Sequence, residues 1–456
     1  MFEKVFHMKQ YGTNTRTEVV AGITTFLAMA YILAVNPSIL GTVMDRNGVF
    51  AATALASAAA TFIMAFLANY PIALSAGMGL NAYFAYTVCL SELGGEADAF
   101  TIALTAVLVE GIIFIFLSIF KFREAIINGI PSNVKKGISV GIGLFVALLG
   151  LENAGITVND DSTLITLGNF GTPQVALALI GLLIIAILVY YKVPGAVLLG
   201  ILATWVMGMI AQVTGWYVVD PANGAASVFP DFSGGLVNLS GLKNTAFHFN
   251  FAWAGSHIME FIAILFSFLF VDLFDTVGTV IGVADKAGLL DEKGNLPRAG
   301  RVLLSDAIGT VIGACLGTST ITSFVESTTG VGEGGKTGMT SFTTGCLFVL
   351  SLFLSPFFLA IPTFATAPAM IYVGFLMLTG VTGIRFDGDI ADSIAAYLAI
   401  LIMPLTYSIA NGIMFAMLSW VIIKVFEKKA KEVSPIMWVI FALFAFRVFT
   451  MVAHFQ

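Results

Sequence analysis

Two carboxylates stand in stretches where a bilayer tolerates charge only along a polar path. Asp275 lies in FIAILFSFLFVDLFDTVGTVIG and Glu326 in GTSTITSFVESTTGVG. A charge at mid-membrane costs from about 3 kcal/mol to well over 10, depending on the reference state. Such residues therefore face a cavity and mark an ion or substrate route. Both segments are broken by Gly, Ser and Thr rather than built as smooth Leu/Ile helices. A carboxylate there accepts N–H hydrogen bonds, and a buried carboxylic acid loads a proton near neutral pH and releases it on the other side. The chemistry expected is binding with proton exchange, at a polar site near the membrane midplane.

Other residues extend that site. Asn81, in GMGLNAY, both donates and accepts, though Asn also caps half-helices. Gly77 and Gly79 before it, and Gly330, Gly332, Gly334 and Gly335 after Glu326, permit close approach and unusual dihedrals. Phe324, two residues before Glu326, offers a face for a flat substrate. Asp272 is either a partner of Asp275 or a helix-packing group, and Glu110 either a proton relay or an interhelical hydrogen bond. Asp306 reads as a cap or interface group, and Glu333 and Lys336 as gate or surface groups. His7, His248, His257 and His454 are terminal, in a loop or near a span end, which leaves any proton coupling to carboxylates. Cys89, Cys315 and Cys346 are scattered through apolar segments and read as buried thiols, neither disulfides nor metal ligands. There is no HExxH, no GxSG element and no Cys/His pair, so an enzyme is not expected, nor any cofactor or metal.

The elements that must position these residues are membrane helices. Of 456 residues, 58% are hydrophobic and 11% charged, which no water-soluble class matches. The start, MFEKVFHMKQYGTNTRTE, is polar and does not read as a cleavable signal. Apolar runs fall at 18–36, 49–68, 101–120, 136–151, 175–191, 195–213, 257–283, 302–317, 340–361, 366–382, 390–408 and 410–426. Residues 70–90 and 318–335 read as two broken crossings, each a short strand entering a half-helix. The fold predicted is thus an all-α polytopic membrane protein with fourteen transmembrane segments. A last run, 435–446, is cut by Arg447 and predicts a short interfacial helix. With the N-terminus inside, all but Arg46, Lys243 and Arg447 of the 21 cations fall on the inner side, as the positive-inside rule requires. Shifting the chain by 249 positions aligns SAAATFIMAFLANYPIALSAGM (57–78) with DAIGTVIGACLGTSTITSFVES (306–327). Seven segments per half requires the halves to be inverted, a recurrent transporter plan with broken helices meeting at the midplane. A pocket of half-helix ends and strand-like backbone suits a planar heterocycle; a channel or anion exchanger on the same plan is the nearest alternative.

The stretches TEVVAGITTFLAMAYILAVNP, SAGMGLNAYFAYTV, VDLFDTVGT and ESTTGVGEGGKTG give the chain a dense resemblance to the nucleobase/ascorbate transporter superfamily, in its guanine–hypoxanthine–adenine permease branch of azaguanine-resistance type. That resemblance implies two inverted seven-segment repeats divided between two domains. A core holds segments one to four and eight to eleven (1–120 and 257–361), and a gate holds five to seven and twelve to fourteen (121–213 and 362–430). An external loop (214–256) and a C-terminal helix (431–456) complete the chain. It implies import of hypoxanthine, guanine or adenine by proton symport, a cell-membrane location with both termini cytoplasmic, and dimerisation through the gate. The purine-binding trio of the branch falls on Asn81, Asp275 and Glu326, with Gly79, Thr279, Phe324 and Ser327 beside them. Coupling is assigned to Glu326 and Asp275. Uracil carriers have His at the Thr279 position and xanthine carriers usually have Asn at the Ser327 position, so both residues point away from those substrates.

Overall fold

The structure, a computed structural model, describes residues 2–119, 131–220, 225–289 and 296–454. Lys121, Arg123 and Lys293, three of the cations counted above, lie outside the described residues. So do the side chains of Asp275, Lys286 and Arg447, whose backbone is helical.

Apolar sequence here becomes helix until a residue with special backbone geometry stops it. The first half runs α1 (Thr15–Leu40), α2 (Arg46–Ala68), β1 (Leu74–Ala76) and α3 (Met78–Ala82), which widens into π-type turns over Tyr83–Glu92. It continues through α4 (Ala99–Ile119), α5 (Ser132–Asn153), the hairpin β2 (Thr157–Asp160) and β3 (Leu164–Leu167), α6 (Pro173–Tyr190) and α7 (Ala196–Val213). The second half holds α8 (Ile258–Lys286), α9 (Ala299–Leu316), β4 (Ile321–Ser323), α10 (Ser327–Gly332), α11 (Gly338–Ala360), α12 (Thr363–Leu378), α13 (Ile390–Leu405), α14 (Ile409–Phe426) and α15 (Pro435–His454). Among the described residues, 10 helices are long and apolar enough to cross a membrane. The chain is a multi-pass membrane protein.

The two breaks form for the same reason. Asn69, at φ 54°, ends α2 and is followed by Pro71; Gly317, at φ 90°, ends α9. A left-handed residue is a common way to stop a helix. The chain beyond each stop is extended, and the two extended pieces pair antiparallel: Leu74 with Ser323, Ser75 with Thr322 and Ala76 with Ile321. Phe324 N–H donates to Ala73 O at 3.0 Å and Gly77 N–H to Thr320 O at 3.2 Å, lengthening the ladder at both ends.

Helices pack in two groups around this ribbon. One contains α1, α2, α4, α8, α9 and α11; the other contains α5, α6, α7, α12, α13 and α14. At one end of the second group, buried Lys424 of α14 holds Asp389 at 2.6 Å and Glu432 at 3.0 Å. Asp389 is desolvated, which raises its pKa, but hydrogen bonds from Lys424 and Lys429 outweigh this and bring it down to about 2. Its share of stability is present above the unfolded value near 3.8 and is lost only as pH falls through about 2. This staple is therefore constant across physiological pH.

The terminal helix α15 runs from Pro435 to His454, past the Arg447 that cuts the apolar run and inside the C-terminal helix expected over 431–456. Arg ends an apolar run without ending a helix, because it is among the better helix formers. Met437, Ile440 and Phe444 of α15 are buried in the main apolar cluster.

Candidate functional site

Two three-residue strands inside helical protein leave backbone groups that neither water nor a sheet can satisfy. Side-chain hydroxyls do it instead. Thr61 of α2 donates to Leu74 O at 3.1 Å and accepts from Leu74 N–H at 3.0 Å. Thr310 of α9, the residue 249 positions later, donates to Ile321 O at 2.9 Å. Ser327 Oγ accepts from Ala73 N–H at 3.0 Å, and Ser341 donates to Tyr70 O and Ile72 O. Ser57 and Ser75 lie 2.7 Å apart.

The three residues entering β4 each reach a different helix. Thr318 accepts from Asn36 of α1 at 3.0 Å, Ser319 donates to Asn81 Oδ1 of α3, and Thr320 donates to Glu110 Oε2 of α4 at 2.9 Å. All six are fully buried. The Glu110 contact joins α4 to the extended residues before β4 rather than to another helix. Asn81 also donates to Ala76 O at 3.3 Å, so its amide ties the end of β1 to the start of β4.

Glu326 stands three residues after the end of β4 and is half-buried. Its Oε1 accepts from the Tyr31 hydroxyl at 2.5 Å. Tyr31 is 1% exposed and stands where α1 tightens into three-residue turns, with Leu33 N–H donating to Ala30 O and Ala34 N–H to Tyr31 O. The register of the pair is fixed by close backbone packing of α10 on α1. A Cβ added at Gly330 would lie 2.1 Å from Thr25 Oγ1 and 2.4 Å from Ala21 O. Gly330→Ala should therefore push α10 away from α1 and break the Tyr31–Glu326 bond. We expect a loss of about 1–3 kcal/mol from overpacking, measured by thermal unfolding of the purified chain. Gly79 has a comparable constraint, its Cβ position lying 2.6 Å from Ile142 Cγ2 of α5.

The other sequence candidates are distributed around this junction. Ser327 ties the two breaks together, and Phe324 is 6% exposed within the main apolar cluster. Helix α8, which carries Asp275 and half-buried Thr279, packs against α3, β4 and α10. The Asp275 side chain lies outside the described residues. Asp272 and Asp306, given secondary places by the sequence, are fully buried beside β4. One hydroxyl, that of Thr276, contacts Asp272 Oδ1 at 2.9 Å, Asp306 Oδ2 at 3.0 Å and Thr322 Oγ1 at 2.9 Å. Asp306 also accepts from Ser323 at 3.3 Å. Of the two readings of Asp306, cap or interface group, these contacts across α8 and β4 fit the interface one. Glu333 closes α10 and Lys336 N–H donates to Glu18 of α1 at 3.0 Å. Among the described residues, no group of three or more His, Cys, Asp or Glu is placed to hold a metal ion.

The sequence reading missed Tyr31, Ser319 and Thr276. Thr61 and Thr310 were detectable, since they fall opposite each other in the block aligned by the 249-residue shift.

A Permease family model matches residues 16–415. A putative permease of Methanocaldococcus jannaschii is 44% identical over 450 residues, covering 98% of this chain and 97% of that protein. The guanine/hypoxanthine permease PbuO of Bacillus subtilis is 41% identical, covering 98% of this chain and 100% of its own length. The adenine permease AdeP of Escherichia coli is 38% identical, covering 100% and 97%. Among solved structures, the transmembrane domain of the cyanobacterial bicarbonate transporter BicA has a similar fold, with a TM-score of 0.64 at 14% identity, covering 87% of this chain and 97% of that one.

Proposed function

Because the chain belongs to this permease family, and is a transporter rather than an enzyme, we propose that it imports purine nucleobases (hypoxanthine, guanine or adenine) together with a proton. The carrying observation is the β1–β4 pairing, which brings two helix starts and Glu326 to one buried junction against the helix of Asp275. The names of the relatives, adenine permease and guanine/hypoxanthine permease, supply the substrate class.

In this reading the chain crosses the membrane fourteen times as two inverted repeats. The antiparallel ribbon and the equivalent clasps of Thr61 and Thr310 support that symmetry. The two packing groups correspond to a core (α1–α4 and α8–α11) and a gate (α5–α7 and α12–α14). The gate is the surface for a homodimer, and both termini face the cytoplasm. Asp275 and Glu326 hydrogen-bond the base, Asn81 holds the two strand ends in register, and Phe324, Gly79, Ser327 and Thr279 shape the wall. Glu326 takes the proton, with Asp275 as the second coupling acid. Core then moves against gate and opens the site inward. A carboxylate rather than a cation between the half-helices favours a neutral base plus a proton over an anion.

The test is uptake of labelled hypoxanthine, guanine and adenine by cells lacking their own purine permeases, with and without a protonophore. Saturable uptake that collapses with the gradient is expected. Uptake of none of the three by correctly inserted protein would contradict the substrate, and uptake indifferent to the protonophore would contradict the coupling.

A further inference from the structure

The bond between Tyr31 and Glu326 bears on which purine the site prefers, an inference that rests on the substrate reading above. A carboxyl group with both oxygens free can accept two parallel N–H bonds from one planar partner. Here Oε1 already accepts from Tyr31 at 2.5 Å, within the range of a charge-assisted O–H···O contact. Tyr31 is buried, and Glu326 opens a half-helix locked to the same α1 helix through Gly330. The contact is therefore built into the packing and does not depend on a loose side chain. Oε1 thus has one lone pair already taken, while Oε2 keeps both for a ligand. This holds for the ionised carboxylate, the form in which Oε2 accepts an N–H; a proton on Oε2 would make that oxygen a donor.

Purine bases differ on the edge such an acid reads. Guanine places its N1–H and its 2-amino group side by side, and this pair matches a carboxylate with two free oxygens. Hypoxanthine has the N1–H and only a C–H at position 2. Adenine likewise offers its N–H groups singly. A site with one oxygen committed leaves guanine's second donor without a full partner, and an unsatisfied buried donor is costly. We propose that Tyr31 is a specificity-determining positioning residue. By holding Oε1 of Glu326, it selects bases that present a single N–H to that acid, so that hypoxanthine is preferred to guanine.

The experiment is competition binding on the purified full chain, with labelled hypoxanthine displaced by hypoxanthine, guanine or adenine. It compares the unmodified protein, Tyr31→Phe and Glu326→Gln. We expect hypoxanthine to bind the unmodified protein about tenfold more tightly than guanine, the discrimination of roughly one hydrogen bond to a charged group. Tyr31→Phe should narrow that ratio to about threefold or less by improving guanine. A merely structural Tyr31 would weaken both bases together and leave the ratio unchanged, which would overturn the proposal. The unmodified protein decides the matter even if Tyr31→Phe does not fold, because guanine binding as tightly as hypoxanthine also overturns it. Binding of no base, or full binding by Glu326→Gln, would strike the purine site itself and not this selection rule.

Discussion

Glu326→Gln is expected to lower purine uptake at least about a hundredfold while leaving the protein folded and inserted. The carboxamide has nearly the shape of the acid, and its oxygen still accepts from Tyr31, so α10 keeps its place on α1. What disappears is the charge and the exchangeable proton. A hydrogen bond to a charged group contributes about 1.5–3 kcal/mol, and the upper figure alone corresponds to roughly a hundredfold. On the proposed role of Glu326 as proton carrier, its loss adds to this by removing the driving force. The variant should therefore fail in accumulation more completely than in binding. Monodisperse elution of the tagged variant with near-zero gradient-driven uptake is the expected pair of results. Normal accumulation by Glu326→Gln would remove the acid from the mechanism.

Glu18→Ala should have the largest effect on stability. Glu18 is fully buried on α1 and accepts from Lys336 N–H at 3.0 Å, Thr337 N–H at 3.3 Å, Thr340 N–H at 3.2 Å and the Thr340 hydroxyl at 2.6 Å. Those amides belong to the start of α11 and the turn before it, where helix N–H groups have no partner of their own. Removing the carboxylate strands several buried donors at once, each costing about 1–3 kcal/mol. A loss of about 3 kcal/mol or more follows, which lowers the thermal midpoint by roughly 3 °C or more for a chain of this size. Thermal unfolding in detergent, followed by size-exclusion fluorescence, reads this directly. Glu18→Gln retains one acceptor oxygen and should fall between the two. A midpoint unchanged in Glu18→Ala would mean that other groups satisfy the start of α11.

Much of this architecture is legible in the sequence because it depends on local signals. Asn69 with Pro71, and Gly317 before TST, announce that a helix stops inside an apolar stretch. The glycines after Glu326 announce a close approach, and Gly330 against Ala21 is where it happens. An acid in such a break stands out on composition alone. The partners do not. Tyr31 is 295 positions from Glu326 and stands in an ordinary apolar run, where nothing distinguishes it from a packing aromatic. Thr276 reads as one more polar residue on α8 until α9 and β4 are brought against it. Asp306 reads from its place near a span start as a cap or interface group, but its partners, Thr276 of α8 30 positions back and Ser323 of β4 17 positions on, cannot be read from the sequence. Hydroxyl groups that replace lost backbone partners are set by tertiary contact. They become visible in sequence only where the repeat shows them twice, as with Thr61 and Thr310.

The most direct test of the account is a structure of the full chain with hypoxanthine bound. It should place the base at the β1–β4 junction, within hydrogen-bond distance of Glu326 and beside the helix carrying Asp275. A base lodged instead in the cavity of about 530 Å³ lined by Asp45, Asp98, Lys243, Asn244 and His248, with the junction empty, would contradict it.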